Sequence, residues 1–173
     1  MAASARTIVP GCPHHITQRG NRRQKVFFRD DDYRAYRDLV AHWAFFYGVE
    51  VWCYCLMPNH VHLLAVPCSK DAFSRAFGQA HRRYTRMVNA RFNWQGHLWQ
   101  GRFSSTVVYN ESLLATARYI EMNPVHARLV RNPQDYEWSS AGAHIEGRPD
   151  CLARGGPFPG LADEWKAFLL LAG

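Results

Sequence analysis

Two strand-forming runs separated by a short turn constrain the fold of this chain more than any other feature. Residues 49–56 read V-E-V-W-C-Y-C-L, and residues 60–66 read H-V-H-L-L-A-V. β-Branched and aromatic residues favour strands, and the intervening Met-Pro-Asn favours a turn. The two runs are therefore predicted to form a β-hairpin, which limits the chain to folds that contain an antiparallel sheet.

The segment before this hairpin predicts one strand and one helix. A strand is expected from about residue 15, followed by a turn at Gly20-Asn21. Asp30 to Asp32 then offer an N-cap and first-turn acids for an amphipathic helix that stops at Gly48.

The segment after the hairpin predicts two helices with a strand between them. The first helix is expected over residues 69–92 and the strand over 104–109. Asn110 is predicted to cap the last helix, over about 111–122, and Pro124 to limit its continuation.

The order of these elements predicts the fold class. Without the last helix it reads β-α-β-β-α-β, the pattern of an α+β, ferredoxin-like fold with a four-stranded antiparallel sheet and helices on one face. The last helix is an addition to this pattern. We expect residues 1–131 to form one domain and residues 132–173 to form a C-terminal extension.

The charge distribution indicates a class of partner. The net charge is +7, and residues 1–29 contain six Lys or Arg without an acid, as residues 72–110 contain six Arg without an acid. Such surfaces attract polyanions, although an ordinary solvated surface is the alternative. Aromatic residues that could stack on unpaired bases are interleaved with these arginines, which favours nucleic acid. They are Tyr84, Phe92, Trp94, Trp99 and Phe103.

The sequence also predicts the cellular location of the protein and the state of its cysteines. No run approaches the roughly 18 apolar residues of a membrane span. Residues 1–6 lack the apolar region of a secretory signal, and five cysteines show no disulfide framework. We therefore expect a cytoplasmic, nucleoid-associated protein with free thiols and no membrane partner.

His60 and His62 lie one residue apart in the second strand of the hairpin, so their side chains are predicted to share a face. Two adjacent imidazoles can bind one metal ion and leave positions open for a substrate phosphate, as Mg²⁺ and Mn²⁺ do. Ordinary hydrogen-bonded histidines are one alternative. A zinc site with Cys53 and Cys55 is another, with Cys55 expected roughly opposite His60 or Val61.

Several segments resemble the single-tyrosine HUH (His-hydrophobic-His) transposases of small insertion sequences, and most of all their REP-associated branch. The segments are H-H-I-T-Q-R-G-N-R-R (14–23), M-P-N-H-V-H-L-L (57–64), L-W-Q-G-R-F (98–103), R-Y-I-E-M-N-P-V (118–125) and Y-E-W-S-S (136–140). After N-P-V the chain has His126-Ala127-Arg128, where an Arg and a Gly are more usual in the family.

The resemblance implies a metal-dependent enzyme that cleaves and rejoins single-stranded or hairpin DNA through a 5′-phosphotyrosine. Tyr119 would be the nucleophile, with His60, His62 and Asn123 as ligands of Mg²⁺ or Mn²⁺. Tyr119 and Asn123 are four residues apart and so lie on one helical face. A covalent ester conserves the energy of the broken bond, and the chain has no G-x-x-x-x-G-K-[ST] loop, so no nucleotide cofactor is expected.

The expected DNA partner is a palindromic repeat near the gene of the protein, bound by a monomer or a homodimer. Arginine suits phosphates and guanine edges. The nominated DNA contacts are Arg19, Asn21, Arg22, Arg23, Arg82, Arg83, Arg86, Trp99 and Arg102. Two alternatives stay open, namely a hairpin-binding protein without catalysis and a nicking enzyme like a replication initiator.

Overall fold

The structure is a computed structural model that describes residues 7–158 and 162–171, so the expectation for residues 1–6 lies outside the described residues. The strands are β1 (His14–Arg19), β2 (Val49–Met57), β3 (His60–Pro67) and β4 (Ser104–Val107). The helices are α1 (Asp30–Phe46), α2 (Ala72–Phe92), α3 (Asn110–His126), α4 (Ala141–Glu146) and α5 (Ala162–Leu170).

The four strands form one antiparallel sheet in the order β2-β3-β1-β4. β1 lies between β3 and β4, so the first and third strands occupy the centre of the sheet. This order, with α1 and α2 as the two crossover helices, confirms the predicted ferredoxin-like fold.

The two faces of the sheet carry different helices. Tyr54, Leu56 and Leu63 belong to the larger buried cluster, which also contains the inward residues of α1 and α2. Cys53 and Leu64 point the other way and belong to a second cluster with residues of α3 and α5. Because side chains alternate along a strand, α3 is thereby placed on the face that is free of α1 and α2.

The β2–β3 hairpin turns through only two residues, Pro58 and Asn59, since Met57 pairs with His60. Cys55 consequently lies opposite His62, and the expectation that it opposes His60 or Val61 is wrong by one register step. The segment before α1 anchors this turn: the backbone N–H groups of Val26 (2.8 Å) and Phe27 (3.3 Å) donate hydrogen bonds to the Pro58 carbonyl.

The ends of α1 follow local chemistry. Arg29 occupies the N-cap position, and the Asp32 carboxylate accepts hydrogen bonds from the N–H groups of Phe28 (2.8 Å) and Arg29 (3.3 Å). Asp32, within the first turn, thus satisfies these donors from inside the helix. At the other end Gly48 has a φ of +65°, and a Cβ there would collide with the Cys68 thiol.

α2 and α3 differ from the sequence prediction at their ends. α2 begins at Ala72, three residues later than expected, and Asn110 lies inside α3, with Tyr109 at the N-cap. α3 also continues through Pro124 to His126. Proline removes one helical donor, but the Ala127 N–H still reaches the carbonyl of Asn123 (2.9 Å).

The C-terminal extension packs along β2. The Leu56 N–H donates to the Trp138 carbonyl (2.8 Å), and the Ser140 N–H donates to the Tyr54 carbonyl (3.1 Å). Trp138 also stacks on Tyr33 of α1, with ring centroids 4.6 Å apart. The extension therefore shares the main core with the preceding elements, and the domain boundary at residue 131 stays a prediction.

All five cysteines are free thiols, as predicted. Over residues 7–158 and 162–171, the structure contains no helix that is both long enough and apolar enough to cross a bilayer.

Candidate active site

His60 and His62 lie side by side on the face of the sheet that α3 covers. Their ring centroids are 4.9 Å apart, which confirms that the two side chains share a face. On the neighbouring strand β1, Arg19 pairs with His60 and Thr17 pairs with His62. The histidines therefore lie on an interior strand close to the β2–β3 turn, where the strand register fixes their positions.

Tyr119 of α3 faces these histidines. Its ring centroid lies 5.6 Å from that of His62, while the side chain is 49% exposed. Ala117 and Ile120 on the same helix are fully buried against the sheet. Burial of these neighbours holds α3 in place and leaves Tyr119 at the open rim of the site.

His15 of β1 is a further member of the site that sequence reasoning missed. Its Nε2 lies 2.9 Å from Nδ1 of His62, and its ring is 6.1 Å from the ring of Tyr119. The alternation of His15, Thr17 and Arg19 along one strand puts them on a common face, but only the pairing of β1 with β3 brings that face to His62.

The site keeps its histidines neutral. Burial, followed by the positive charge of Arg19, lowers the pKa of His60 to about 4. Burial also lowers the pKa of His62 to about 3, with the neighbouring His15 and His60 as further causes. The pKa of His15 is lowered by burial as well. Neutral imidazole is the form that binds metal ions, so the pair is available as ligands at physiological pH.

The hydrogen bonds of the pair fit a divalent metal ion. His60 Nδ1 contacts Asn59 Oδ1 at 2.6 Å, and His62 Nδ1 contacts His15 Nε2 at 2.9 Å. Metal-bound histidines usually use one ring nitrogen for the ion and the other for such an outer hydrogen bond. Nε2 of both rings is therefore the nitrogen left for a ligand.

Asn123 lies one helical turn beyond Tyr119. Its side-chain N–H donates to the Tyr119 carbonyl at 3.1 Å, which leaves Oδ1 as the group for a ligand. The extension of α3 through Pro124 keeps Tyr119 and Asn123 in helical register. The predicted spacing between nucleophile and third ligand is thus present in the helix.

The zinc alternative finds no support in the structure. Burial raises the pKa of the Cys53 and Cys55 thiols, so both are neutral in the metal-free protein. The Cys55 thiol donates a hydrogen bond to the Met57 sulfur (3.6 Å). Across the described ranges, no three His, Cys, Asp or Glu side chains are arranged to hold a metal ion.

The predicted DNA contacts of the first turn lie beside the connector at residues 94–103. The Asn21 N–H donates to the Leu98 carbonyl (2.8 Å), and the Gln100 N–H donates to the Arg19 carbonyl (2.8 Å). Arg19, Arg22, Arg23 and Arg102 are exposed around this junction. The fold therefore brings two separate basic segments of the sequence into one surface.

Arg82 and Arg86 line an open groove of about 370 Å³ between α2 and the connector. Arg83 points elsewhere, since its guanidinium lies 4.9 Å from the ring of Trp43 on α1. Trp99 is only 6% exposed and packs against His81 at 4.9 Å. The ring therefore anchors the connector in the core with only an edge at the groove, and the nomination of Trp99 as a DNA contact stays a prediction.

A buried carboxylate joins α3 to the C-terminal extension. Glu121 is fully buried and accepts hydrogen bonds from Ser140 Oγ (2.5 Å), His144 Nδ1 (2.7 Å) and Trp165 Nε1 (2.7 Å). Arg118, next to Tyr119, donates to the carbonyls of two residues in and after α5. The helix that carries Tyr119 is thus fixed by residues that follow it in the chain.

The sequence of this chain is similar to those of known proteins. The sequence model of the family described as "Transposase IS200 like" matches residues 8–123. A protein of Haemophilus influenzae assigned as a REP-associated tyrosine transposase is 25% identical over 141 residues, which cover 70% of this chain and 78% of that protein.

Two solved structures are similar. One, a REP-associated tyrosine transposase bound to a REP hairpin, superposes with a TM-score of 0.71 and 21% identity over 90% of this chain and 93% of the other. The other, from Deinococcus radiodurans, is described as a transposase and has a TM-score of 0.49 and 22% identity over 69% of this chain and 95% of the other. The first similarity shows that the fold extends over nearly the whole of both chains.

Proposed function

This chain belongs to the IS200-like transposase family, and from that premise we propose that it cleaves and rejoins single-stranded or hairpin DNA through a phosphotyrosine at Tyr119. The family implies a DNA-cleaving enzyme. One observation carries the finer proposal: the ring centroid of Tyr119 lies 5.6 Å from that of His62, whose ring adjoins that of His60. A nucleophile and a phosphate-binding group must meet in this way for covalent catalysis.

In the proposed reaction the Tyr119 oxygen attacks a backbone phosphorus and loses its proton. The bond from phosphorus to the 3′ oxygen breaks, and that oxygen leaves as a hydroxyl after taking up a proton. The DNA 5′ end is then esterified to Tyr119. Attack by another 3′-hydroxyl on this ester reverses the sequence and joins the strands, so the bond energy is conserved and a nucleotide cofactor is unnecessary.

The residues around Tyr119 support this chemistry. His60, His62 and Asn123 would hold a Mg²⁺ or Mn²⁺ ion, which when bound would polarise the phosphate and stabilise its transition-state charge. His15 holds the ring of His62 through its hydrogen bond. Tyr119 is half-exposed, so its side chain is accessible from solvent.

A DNA hairpin is the proposed substrate. The similar structure contains a REP hairpin, and this chain has a basic surface formed by the Asn21 turn, the connector and the groove beside Arg82 and Arg86. Arginines can contact phosphates of a duplex stem there. Arg19 links this surface to the candidate site, because it pairs with His60 across the sheet.

The test uses hairpin oligonucleotides from palindromes that flank the gene, labelled at one end and incubated with Mn²⁺ or Mg²⁺. We expect cleavage on one side of the hairpin and a product with a free 3′-hydroxyl. We also expect joining to a second strand that carries a 3′-hydroxyl. Tight hairpin binding without cleavage would favour the non-catalytic alternative, and cleavage without strand joining would favour the nicking enzyme.

A further inference from the structure

Three exposed aromatic rings form a cluster that the proposed reaction does not use. Phe28, Phe92 and Trp94 are 38%, 38% and 43% exposed, respectively. Phe92 and Trp94 stack with centroids 4.6 Å apart, and Phe28 lies 4.8 Å from Phe92. We name these three residues the aromatic platform.

The aromatic platform is held in a defined shape. α2 ends at Phe92, its C-cap residue Asn93 adopts a left-handed conformation with a φ of +54°, and the Trp94 N–H donates to the Asn89 carbonyl (2.9 Å). The Arg91 guanidinium lies 4.7 Å from the ring of Phe92 and 5.9 Å from that of Phe28. Rings that are ordered before binding lose little conformational freedom when a ligand stacks on them.

Arg91 is itself fixed by a buried partner. Its two terminal nitrogens donate to both oxygens of Asp32, at 2.5 and 2.8 Å. Burial alone would raise the pKa of Asp32, but the bonds from Arg91 and from the backbone lower it. The ion pair therefore stays charged at neutral pH and keeps the guanidinium against the platform.

The aromatic platform lies where the two acid-free segments of the sequence meet. Phe28 belongs to the first of these segments, and Phe92 and Trp94 belong to the second. Of the three aspartates that follow Phe28, Asp32 is paired with Arg91, and Asp31 with Arg34 at 3.1 Å. Asp30 is exposed, and Arg91 and Arg34 are already paired, so attraction of an anionic ligand comes from the two basic segments as a whole.

The platform also lies toward the end of the sheet where the candidate active site opens. The backbone of Val26 and Phe27, just before Phe28, is bonded to Pro58 in the β2–β3 turn. His60 directly follows that turn. The platform belongs to the side of the sheet that α1 and α2 cover, so a DNA strand from the site would pass around the β2–β3 turn to reach it.

From these observations we propose that Phe28, Phe92 and Trp94 stack on unpaired bases of the strand that flanks the hairpin stem. This inference rests on the proposed DNA substrate and deepens it, since it names a subsite for single-stranded DNA. Aromatic rings on a basic surface bind bases by stacking and are tolerant of sequence. Paired bases within a stem are already stacked on each other and would not use the platform.

The experiment compares three DNA probes with the full chain in the presence of EDTA. They are a hairpin with a ten-nucleotide single-stranded tail, the same hairpin without a tail, and the tailed hairpin with abasic sites in the tail. Phe92→Leu combined with Trp94→Leu removes most of the stacking surface. Phe45→Leu is the matched control. This ring is 85% exposed and lies in the last turn of α1, at the opposite end of that helix from Phe28.

We expect the double variant to bind the tailed hairpin about tenfold more weakly than wild type. Its affinity for the untailed and abasic probes should match wild type, and Phe45→Leu should change none of the three. A 2-aminopurine base in the tail should be quenched on binding to wild type and not to the double variant. If the double variant bound the tailed hairpin as tightly as wild type, or if wild type did not quench the 2-aminopurine, base stacking on the platform would be overturned. Hairpin binding would be unaffected by either result. Failure of wild type to bind any probe would overturn the proposed function as well.

Discussion

The ring of Tyr119 stands edge-on to the ring of His62, with centroids 5.6 Å apart and planes at 87°. The two residues come from α3 and β3, which lie far apart in the sequence and meet only because α3 covers the free face of the sheet. The packing of α3 therefore determines whether the proposed nucleophile and the proposed metal ligands can act on one phosphate.

Removal of the two histidines should abolish metal binding. His60→Ala with His62→Ala deletes both proposed nitrogen ligands, and we expect Mn²⁺ affinity to fall by at least about 100-fold. Titration of Mn²⁺ followed by electron paramagnetic resonance measures this directly. His42→Ala, at an exposed histidine of α1, is the control and should bind Mn²⁺ as wild type does. Unchanged Mn²⁺ affinity in the double variant would rule out this site.

His15 should act on metal binding through His62. His15→Ala removes the partner of His62 Nδ1 but leaves both proposed ligands in place. Loss of such an outer hydrogen bond typically costs 10- to 100-fold in metal affinity, and we expect a fall of about tenfold. His15→Gln can restore a hydrogen bond and should recover part of the affinity. Wild-type Mn²⁺ binding by His15→Ala would show that the contact with His62 has no role in ligand orientation.

The Glu121 network should contribute strongly to stability. Glu121→Gln leaves three buried donors with a weaker acceptor, and we expect the free energy of unfolding to fall by about 3 kcal/mol. Trp165→Phe removes one donor and should cost about 1–3 kcal/mol. Urea unfolding measures both.

The control is Glu146→Gln, at an exposed ion pair with Arg148. We expect this change to alter the free energy of unfolding by less than about 0.5 kcal/mol. If Glu121→Gln behaved in the same way, the network would have no part in holding α3.

Acid should destabilise the fold through histidines that are buried in the neutral form. His14 accepts the Val9 N–H on Nε2, and burial lowers its pKa; burial also lowers the pKa of His81 to about 3. An unfolded histidine titrates near 6.5, so below that pH the unfolded chain binds protons that the folded chain excludes. The free energy of unfolding should be constant above pH 6.5 and fall as the pH drops towards 3. The fall should be up to about 1.4 kcal/mol per pH unit for each of these histidines.

Urea unfolding at pH 7, 6 and 5 tests this expectation. His81→Gln removes one titrating group and keeps an acceptor for the Tyr36 hydroxyl, which lies 2.9 Å from His81 Nε2. The decline of stability with acid should be shallower in this variant. Equal slopes in the variant and wild type would contradict the role of His81.

Much of the sheet could be predicted because its signals are local. The apolar run around His60 and His62 predicted the hairpin and the common face of the two side chains. Gly48 predicted where α1 ends. The end of the last helix was predicted too early, at about residue 122, because a proline near a helix end, such as Pro124, disturbs the helix less than one in its middle. Asn123 remained helical for that reason.

The long-range features could not be read from the sequence. His15 joins the site only through the pairing of β1 with β3. Trp99 looked like a stacking residue because nothing in the connector indicates that it folds into the core. Glu121 finds its partners in α4, α5 and the preceding turn, and a network of such distant residues leaves no periodic signal.

The most direct test of the account is to identify the residue that becomes attached to DNA. Wild type, Tyr119→Phe and Tyr109→Phe are each incubated with a labelled hairpin and Mn²⁺ and then separated on a denaturing gel. Tyr109 is a 70% exposed tyrosine at the start of the same helix and serves as the matched control. We predict a covalent protein–DNA band for wild type and Tyr109→Phe, with none for Tyr119→Phe although it binds the hairpin normally. A covalent band with Tyr119→Phe, or its absence from wild type under all metal conditions, would contradict the account.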